Sequence, residues 1–204
     1  MRAQGGRAGR IRRPALPECP ILLAPFAVPD AFSPEDCARI TALAADGPMR
    51  EAGLVRGVSD AATRRAEVAW LDDRPAAGWV TDRLVALVAK VNRDHFGFAI
   101  DEFAESAQVA RYGAERQGHF GWHADIGEGP LARRRKLTLV VQLSEPEGYV
   151  GGGLELWPHG TAHEAPRTVG AAILFPAFVL HRVTPVTGGE RFSLTIWAHG
   201  PAFR

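Results

Sequence analysis

The stretch that decides the fold is Gly118-His119-Phe120-Gly121-Trp122-His123-Ala124-Asp125, in the second half of the chain. Its glycines disfavour a helix, and residues two apart on an extended strand project from the same face. His123 and Asp125 can therefore reach one ion, while Ala124 points the other way. The stretch predicts a β-strand that carries two metal ligands.

A third ligand is available further along the chain, at His181. This histidine ends the apolar run Ala171–Leu180, which is typical of a buried strand. Phe192–Trp197 follows as another strand, and the glycine-containing segment Val186–Glu190 lies between them. Two strands joined by such a turn predict a hairpin. The hairpin would place His181 and Arg191 near each other at facing positions.

These residue types fit one kind of chemistry. Two histidines and a carboxylate on one face of a metal leave three positions open, which is diagnostic of non-haem Fe(II) oxygenases. The planar fork of Arg191 matches a carboxylate, such as the distal one of a metal-chelating dicarboxylate. Ser193 is two residues further along, so it shares that strand face and can donate a second hydrogen bond. The pattern predicts an oxygenase that depends on Fe²⁺, 2-oxoglutarate and O2.

The stretch from Gln108 to Arg204 resembles the catalytic core of the Fe(II)/2-oxoglutarate-dependent dioxygenases, in their prolyl and lysyl hydroxylase-like branch. The resemblance covers nearly half of the chain, with several motifs in the order of the family. These motifs are Arg111-Tyr112-Gly113, Trp122-His123-Ala124-Asp125, Gly151-Gly152-Gly153-Leu154-Glu155-Leu156 and His181-Arg182-Val183-Thr184-Pro185-Val186-Thr187, followed by Arg191 and Trp197.

The resemblance implies a role for each site residue. It implies that His123, Asp125 and His181 bind the iron, as the metal ligands of the site. Arg191 would grip the C5 carboxylate of 2-oxoglutarate, and Tyr112 would hydrogen-bond this cosubstrate.

One position departs from the family pattern. Some animal prolyl hydroxylases have a second cosubstrate-binding tyrosine where this chain has Gln142, so Gln142 is a candidate cosubstrate contact and the same substrate cannot be assumed. The resemblance implies hydroxylation of an unactivated C–H bond of a peptide, protein or amino-acid substrate, with release of succinate and CO2. Ascorbate is a candidate stimulant.

The rest of the pattern predicts a mainly β fold with flanking helices (α+β). From Phe103 onward, short apolar or alternating segments are separated by glycine and proline turns, which indicates a jelly roll or barrel. Ser33 opens a first predicted helix, and Asp46-Gly47-Pro48 ends it. A second predicted helix runs from about Ala76 to His95. The resemblance implies a double-stranded β-helix (jelly roll) braced by these N-terminal helices.

Composition and charge indicate how the chain is organised into domains and which partners are expected. Residues 1–18 are rich in Arg, Gly and Ala, so a flexible arm is predicted there. Residues 19–204 are predicted to form a single domain, with its catalytic core at about 103–204. The segment 49–60 fits a lid and an ordinary loop equally well. A net charge of +1 gives no reason to expect nucleic-acid or membrane binding. The two cysteines form no CxxC pair and fit a cytoplasmic protein. The oligomeric state is open.

Two other functions use the same ligands. Zinc also accepts two histidines and a carboxylate, so a zinc hydrolase is one alternative, and a non-catalytic metal-binding β-domain is another. The zinc hydrolase gives Arg191, Ser193 and Tyr112 no role, and the complete ligand set argues against a non-catalytic domain, so the oxygenase is preferred.

Two further features near the motif have open interpretations. By alternation His119 lies on the ligand face, yet roughly 13 Å along the strand from His123, so at most it would line the pocket or contact a metal ligand from behind. The basic run Arg133-Arg134-Arg135-Lys136 is typical of a solvated loop. The rival hypothesis is that one of its arginines meets an acidic substrate, as would fit its place just after the metal motif.

Overall fold

Two antiparallel sheets face each other in the computed structural model, which describes residues 24–52 and 63–203. The predicted arm at 1–18 and most of the segment 49–60 lie outside the described residues. The strands are β1 (Phe26–Val28), β2 (Arg50–Glu51), β3 (Arg64–Arg65), β4 (Glu67–Trp70), β5 (Gln108–Gly113), β6 (His119–His123), β7 (Arg135–Gln142), β8 (Tyr149–Gly151), β9 (Leu154–Trp157), β10 (His163–Glu164), β11 (Ala172–Pro176), β12 (Leu180–Val183) and β13 (Val186–His199). The helices are α1 (Pro34–Ala45) and α2 (Gly78–Val91).

The larger sheet has the strand order β1-β11-β7-β13-β5-β4-β2, and β8 pairs with the first part of β13. The smaller sheet has the order β10-β9-β12-β6-β3. Every pairing within both sheets is antiparallel, and most neighbouring strands are distant in sequence. This arrangement is the predicted double-stranded β-helix, or jelly roll.

Both predicted helices are present, with the predicted start of the first. The Ser33 hydroxyl caps α1 by accepting a hydrogen bond from the Asp36 N–H at 3.1 Å, and Pro34 occupies the first turn. The helix ends at Ala45 and Asp46 forms its C-cap, as expected. The second helical region is composite, because a 3₁₀ turn precedes α2 and the π-helical turn Asn92–Phe96 follows it.

The helices cover the outer face of the larger sheet. Alternate residues of β7 and β13 point outward to meet them, and the cluster also takes in both helices. Its fully buried members include Ile40, Leu84, Leu139, Leu194 and Ile196. The intervening residues of the same strands point inward, towards the smaller sheet, and they line the space where polar residues gather.

The predicted hairpin between His181 and Arg191 is wrong. β11 ends at Pro176, His181 belongs to β12, and β12 lies in the smaller sheet while β13 lies in the larger one. The segment Val186–Glu190 is not a turn, because it forms the first part of β13 and pairs with β8. The two residues therefore reach a common cavity from opposite sheets, which local sequence does not reveal.

The expected alternation through the metal motif is also broken. β12 pairs His181 with His123 but Val183 with Phe120, so β6 holds one extra residue between those positions. The irregularity turns Phe120 onto the inner face beside His123, where the two rings stack with centroids 3.5 Å apart. The predicted place of His119 in the pocket is wrong for this reason, and its Nδ1 lies 2.8 Å from the Gln117 carbonyl.

No helix of the described residues is long and apolar enough to cross a membrane.

Candidate metal and cosubstrate site

A cavity of about 610 Å³ lies between the two sheets. Its lining includes all three predicted metal ligands together with Tyr112, Arg191 and Ser193. The smaller sheet contributes His123 and His181, and the larger sheet contributes the other side of the cavity. A single space thus holds most of the residues that the sequence singled out.

The three predicted metal ligands converge. His123 Nε2 lies 3.6 Å from Asp125 Oδ1, and His181 Nε2 lies 3.5 Å from Asp125 Oδ2. The ligand atoms of all three lie within 4.8 Å of one another, a spacing that suits a single shared ion. Asp125 is not on the strand, because β6 ends at His123. Its N–H instead donates to the Ala177 carbonyl at 2.9 Å, which fixes the loop beside β6.

Both histidines present the nitrogen that a metal needs. His123 Nδ1 lies 2.8 Å from the Gly121 carbonyl, and His181 Nδ1 lies 3.0 Å from the Val179 carbonyl. A carbonyl can only accept, so each Nδ1 carries the proton and each Nε2 offers its lone pair to the cavity. Burial, with a contribution from His181, lowers the pKa of His123 to about 4. His123 is therefore neutral at neutral pH, as metal binding requires.

The carboxylate of Asp125 is held by a second layer of polar contacts. The Thr138 hydroxyl donates to Asp125 Oδ2 at 2.6 Å, and Arg135 Nη1 donates to the Asp125 carbonyl at 3.0 Å. Burial would raise the pKa of Asp125, but His181, His123 and the Thr138 hydrogen bond lower it overall. The group is therefore an anion, the form that binds a cation.

Arg135 is itself fixed by acidic and imidazole partners. Its Nε donates to Glu105 Oε2 at 2.6 Å, and the same carboxylate oxygen lies 2.9 Å from Nε2 of the fully buried His199. Burial alone would raise the pKa of Glu105, but the hydrogen bond and charge of Arg135 lower it below its ordinary value. This network steadies the loop that carries Asp125.

Arg191 lies at the opposite end of the cavity and is unusual in its surroundings. The residue is 1% exposed, and its Nη2 donates a hydrogen bond to Gln142 Oε1 at 2.9 Å. Within the described chain, Nε and Nη1 are buried without a hydrogen-bond partner. Burial lowers the pKa of Arg191, and the nearby Tyr112 partly opposes that. A buried guanidinium with two idle donors is a ready site for a carboxylate.

The other predicted cosubstrate residues surround this guanidinium. Tyr112 pairs in register with Arg191, whose Cζ lies 5.4 Å from the centre of the tyrosine ring. Ser193 is buried and lines the cavity two residues further along β13. Gln142 holds Arg191 directly, and its amide donates to the Pro166 carbonyl at 3.1 Å. Gln142 is thereby positioned to orient the arginine.

The glycine motif Gly151-Gly152-Gly153 has a clear structural cause. Gly152 has φ +63°, and a Cβ there would lie 3.1 Å from Arg191 Cδ and 2.9 Å from Val186 Cγ2. At Gly151 a Cβ would come within 2.0 Å of the Pro185 carbonyl oxygen. The motif thus lets the turn after β8 pack against the base of Arg191, and no phosphate-binding role is needed.

Two arginines of the basic run after the metal motif form ion pairs within the chain. Arg134 pairs with Asp101 at 3.1 Å and with Glu102, and Arg135 pairs with Glu105. These pairs give no support to the hypothesis that one arginine of the run meets an acidic substrate, which stays a prediction. Sequence reasoning also missed Thr138, although its place as an inward polar residue of the apolar strand β7 was a usable signal.

Comparison with known proteins agrees with this geometry. Residues 107–199 match the model of the 2OG-Fe(II) oxygenase superfamily. A PKHD-type hydroxylase of Hyphomonas neptunium is 38% identical over 81 residues, which are 38% of this chain and 36% of that protein. The aligned part thus spans about a third of the length of that relative.

Two solved structures share the fold. A Pseudomonas putida prolyl-4-hydroxylase has a TM-score of 0.72 at 21% identity, over 87% of this chain and 94% of its own. A Trichoplax adhaerens prolyl hydroxylase, solved with a hypoxia inducible factor peptide fragment, has a TM-score of 0.73 at 18% identity, over 86% and 83% of the two chains. Residues 107–199, somewhat less than half of the chain, thus match the 2OG-Fe(II) oxygenase superfamily, and the chain shares its fold with two prolyl hydroxylases.

The residues present fit the two groups that the family name implies. Two imidazoles and an ionised carboxylate form the donor set of a facial iron site. The idle donors of Arg191 match the free carboxylate of 2-oxoglutarate. Both groups of residues line one continuous cavity.

Proposed function

We propose that this chain is a non-haem Fe(II)- and 2-oxoglutarate-dependent dioxygenase that hydroxylates an unactivated C–H bond of a peptidyl or free amino acid. Succinate and CO2 are the other products. The observation that carries the proposal is the joint presence, in one cavity, of a His-Asp-His cluster and a buried arginine with two nitrogens that have no hydrogen-bond partner among the described residues. Each would be costly to bury without the ligand that it suits.

The ligand residues act by being fixed before the metal arrives. His123 and His181 would hold Fe²⁺ through Nε2, and Asp125 would supply the carboxylate. When bound, iron together with 2-oxoglutarate supplies the activation of O2 that C–H hydroxylation requires. The carbonyl partners of each Nδ1 and the Thr138 hydroxyl hold the ligands in place, so little reorganisation is needed.

Arg191 would orient 2-oxoglutarate from the far end of the cavity. Its guanidinium lies in a water-poor, low-dielectric setting, where an ion pair is strong and its loss is costly. Gln142 fixes the direction of the guanidinium, while Tyr112 and Ser193 would donate further hydrogen bonds to the cosubstrate. The apolar inner faces of both sheets exclude water from this end.

The relatives support an amino-acid substrate. The Hyphomonas relative is named a PKHD-type hydroxylase, and both compared structures are named prolyl hydroxylases, one of them with a peptide fragment. We propose a peptide, protein or amino-acid side chain on that basis, with ascorbate as a candidate stimulant. The sparse cysteines, two in 204 residues, support a cytoplasmic location in the same proposal.

The zinc hydrolase and the non-catalytic metal-binding domain are less well supported. Both use the same cluster of His123, Asp125 and His181. Neither accounts for a guanidinium that is 1% exposed and has two unpartnered nitrogens within the described chain. The oxygenase gives every inward polar group named above a role.

A succinate assay tests the proposed function. Purified protein with Fe²⁺, 2-oxoglutarate and O2 should release succinate, and a chelator or N-oxalylglycine should stop the release. Mass spectrometry of treated lysate should then show products heavier by one oxygen atom. Hydrolysis that proceeds with zinc and without 2-oxoglutarate would support the hydrolase instead, and metal binding without turnover would support the binding domain.

A further inference from the structure

Arg64 stands out among the cavity residues that the proposed function leaves unused. It belongs to β3, the edge strand of the smaller sheet, and pairs in register with Phe120. Its Nη2 donates to Gln108 Oε1 at 3.0 Å, across the gap between the sheets. Its Nε is buried without a hydrogen-bond partner among the described residues. Like Arg191, it is a cation in the cavity with idle donor capacity.

The position of Arg64 separates it from the cosubstrate end. Gln108 and Tyr112 share the inner face of β5, four residues apart, so they are separated by roughly 13 Å along the strand. Arg191 pairs in register with Tyr112, whereas Arg64 contacts Gln108. The two guanidiniums therefore serve different parts of the cavity.

Arg64 is nevertheless close to the metal ligands. Its guanidinium lies over the Phe120 ring, with Cζ 4.5 Å from the ring centre, and that ring stacks on His123 at 3.5 Å. One aromatic ring thus separates the cation from a predicted iron ligand. A group held by Arg64 would be adjacent to the place where the substrate reacts.

Among the described residues that line the cavity, no carboxylate is left to pair with Arg64. The lining contains three arginines and two carboxylates, which gives a net charge of +1. Arg135 is paired with Glu105, Asp125 would face the iron, and Arg191 would face 2-oxoglutarate. The charges of Fe²⁺ and the 2-oxoglutarate dianion cancel. The remaining positive charge is that of Arg64, which pairs with no carboxylate of the described residues.

Resting on the proposed function, we infer that Arg64 binds a carboxylate of the substrate and thereby determines which substrates are accepted. Nη2 of Arg64 is bound to Gln108, whereas the neighbouring Nε has no partner among the described residues. Nε can therefore donate a hydrogen bond to an anion. The cation-π contact with Phe120 and the hydrogen bond to Gln108 hold the guanidinium in place before the substrate binds. The carboxylate is either that of a free amino acid or an acidic group beside the target residue of a peptide.

Paired probes that differ only in charge test this inference. The first pair is L-proline and L-prolinamide, and the second is the amidated peptide Ala-Pro-Asp-Gly and its Asn counterpart. Protein with Mn²⁺ and N-oxalylglycine bound is titrated with each probe, and binding is followed by tryptophan fluorescence, since Trp70 and Trp197 line the cavity. The charged member of at least one pair should bind roughly 10- to 100-fold more tightly, and that pair identifies the source of the carboxylate.

The Arg64→Gln variant should remove this preference, and Arg64→Lys should keep part of it because the charge remains without the planar fork. Arg65→Gln is the matched control, since this neighbour lies outside the cavity lining and its Nη1 donates to the Arg116 carbonyl. It should keep the full preference. If Arg64→Gln does not fold, a reduced preference in Arg64→Lys still tests the claim.

The inference is overturned if the wild type binds both members of each pair equally, or if the Arg64 variants retain the full preference. Succinate release without added substrate, measured on the same protein supplied with Fe²⁺, 2-oxoglutarate and O2 in place of Mn²⁺ and N-oxalylglycine, reports separately on the proposed function. Turnover without charge preference contradicts only the role of Arg64. Charge preference without turnover contradicts only the oxygenase assignment.

Discussion

The two sheets of the molecule carry different groups of site residues. The smaller sheet provides His123 and His181, its strand β6 leads into Asp125, and its outer face carries exposed residues such as Leu180 and Trp157. The larger sheet provides Arg191 and its surroundings, and its outer face is covered by both helices. The proposed metal ligands and the proposed cosubstrate residues thus come from different layers that face one cavity.

This division has a physical consequence. A residue pointing inward from the larger sheet has a backbone that is fixed by helix packing behind it, which suits a guanidinium that must stay buried in one orientation. The metal ligands need less support of that kind, because hydrogen bonds to nearby carbonyls orient each imidazole. Variants should therefore separate metal affinity, 2-oxoglutarate affinity and stability.

The largest effect is expected for His181→Ala on the smaller sheet. Removing one of three ligands should abolish iron binding and lower iron-dependent succinate release by more than roughly 100-fold, beyond the loss typical of an outer-shell contact. Equilibrium dialysis and a succinate assay measure the two effects. His163→Ala, an exposed histidine of the same sheet, is the control and should behave as wild type. Full iron binding in the His181 variant would refute its role as a ligand.

Arg191→Ala should show the corresponding loss on the larger sheet. It would leave the cosubstrate carboxylate buried and unpaired, at a cost of about 3–5 kcal/mol. That cost corresponds to about 2 to 3.5 decades in the dissociation constant of 2-oxoglutarate, measured by calorimetry. Metal affinity should be unchanged. Arg182→Ala removes an arginine paired with Glu155 on the outer face, so near-equal effects of the two variants would contradict the assignment.

The sheets should also differ in what their outer residues contribute to stability. Leu194 lies fully buried under the helices, so Leu194→Ala should lower the free energy of unfolding by about 2–5 kcal/mol in urea denaturation. Leu180 is 45% exposed on the smaller sheet, and Leu180→Ala should change the free energy of unfolding by no more than about 0.5 kcal/mol. Similar losses in both variants would mean that a partner covers the smaller sheet.

The smallest effect concerns a contact that crosses between the layers. Thr138 of the larger sheet donates to Asp125, so Thr138→Val should weaken metal binding by roughly 10- to 100-fold with little change in 2-oxoglutarate binding. Competition with a metal-binding dye gives the dissociation constant. Thr187→Val, an exposed threonine of β13, serves as the control. Unchanged metal affinity in the Thr138 variant would show that Asp125 needs no such support.

The sequence predicted the residues of the site better than the pairing of the strands that carry them. Residue types alone identified the His123, Asp125 and His181 cluster and Arg191, because few other ligands suit a facial metal site. Local signals also predicted α1, whose cap depends only on Ser33 and its neighbours. The residues that converge in space were therefore readable from the chain.

The pairing of strands was not predictable from local pattern. The irregularity in β6, which moves Phe120 onto the inner face, is imposed by its partner β12. The separation of β12 and β13 into different sheets likewise depends on non-local hydrogen bonds. Arg64 was missed because its neighbours in the sequence carry no periodic signal, and only the fold brings it to Gln108. Such contacts depend on pairings that no short stretch encodes.

The most direct test is a calorimetric titration of 2-oxoglutarate into the protein with and without Mn²⁺, repeated for Arg191→Ala. In this account the bound metal and Arg191 contact opposite ends of one 2-oxoglutarate molecule. Tight binding should therefore require both, and omission of Mn²⁺ or replacement of Arg191 should remove most of the affinity for 2-oxoglutarate. Tight 2-oxoglutarate binding that is indifferent to the metal, or to Arg191, would contradict a shared cavity for the two.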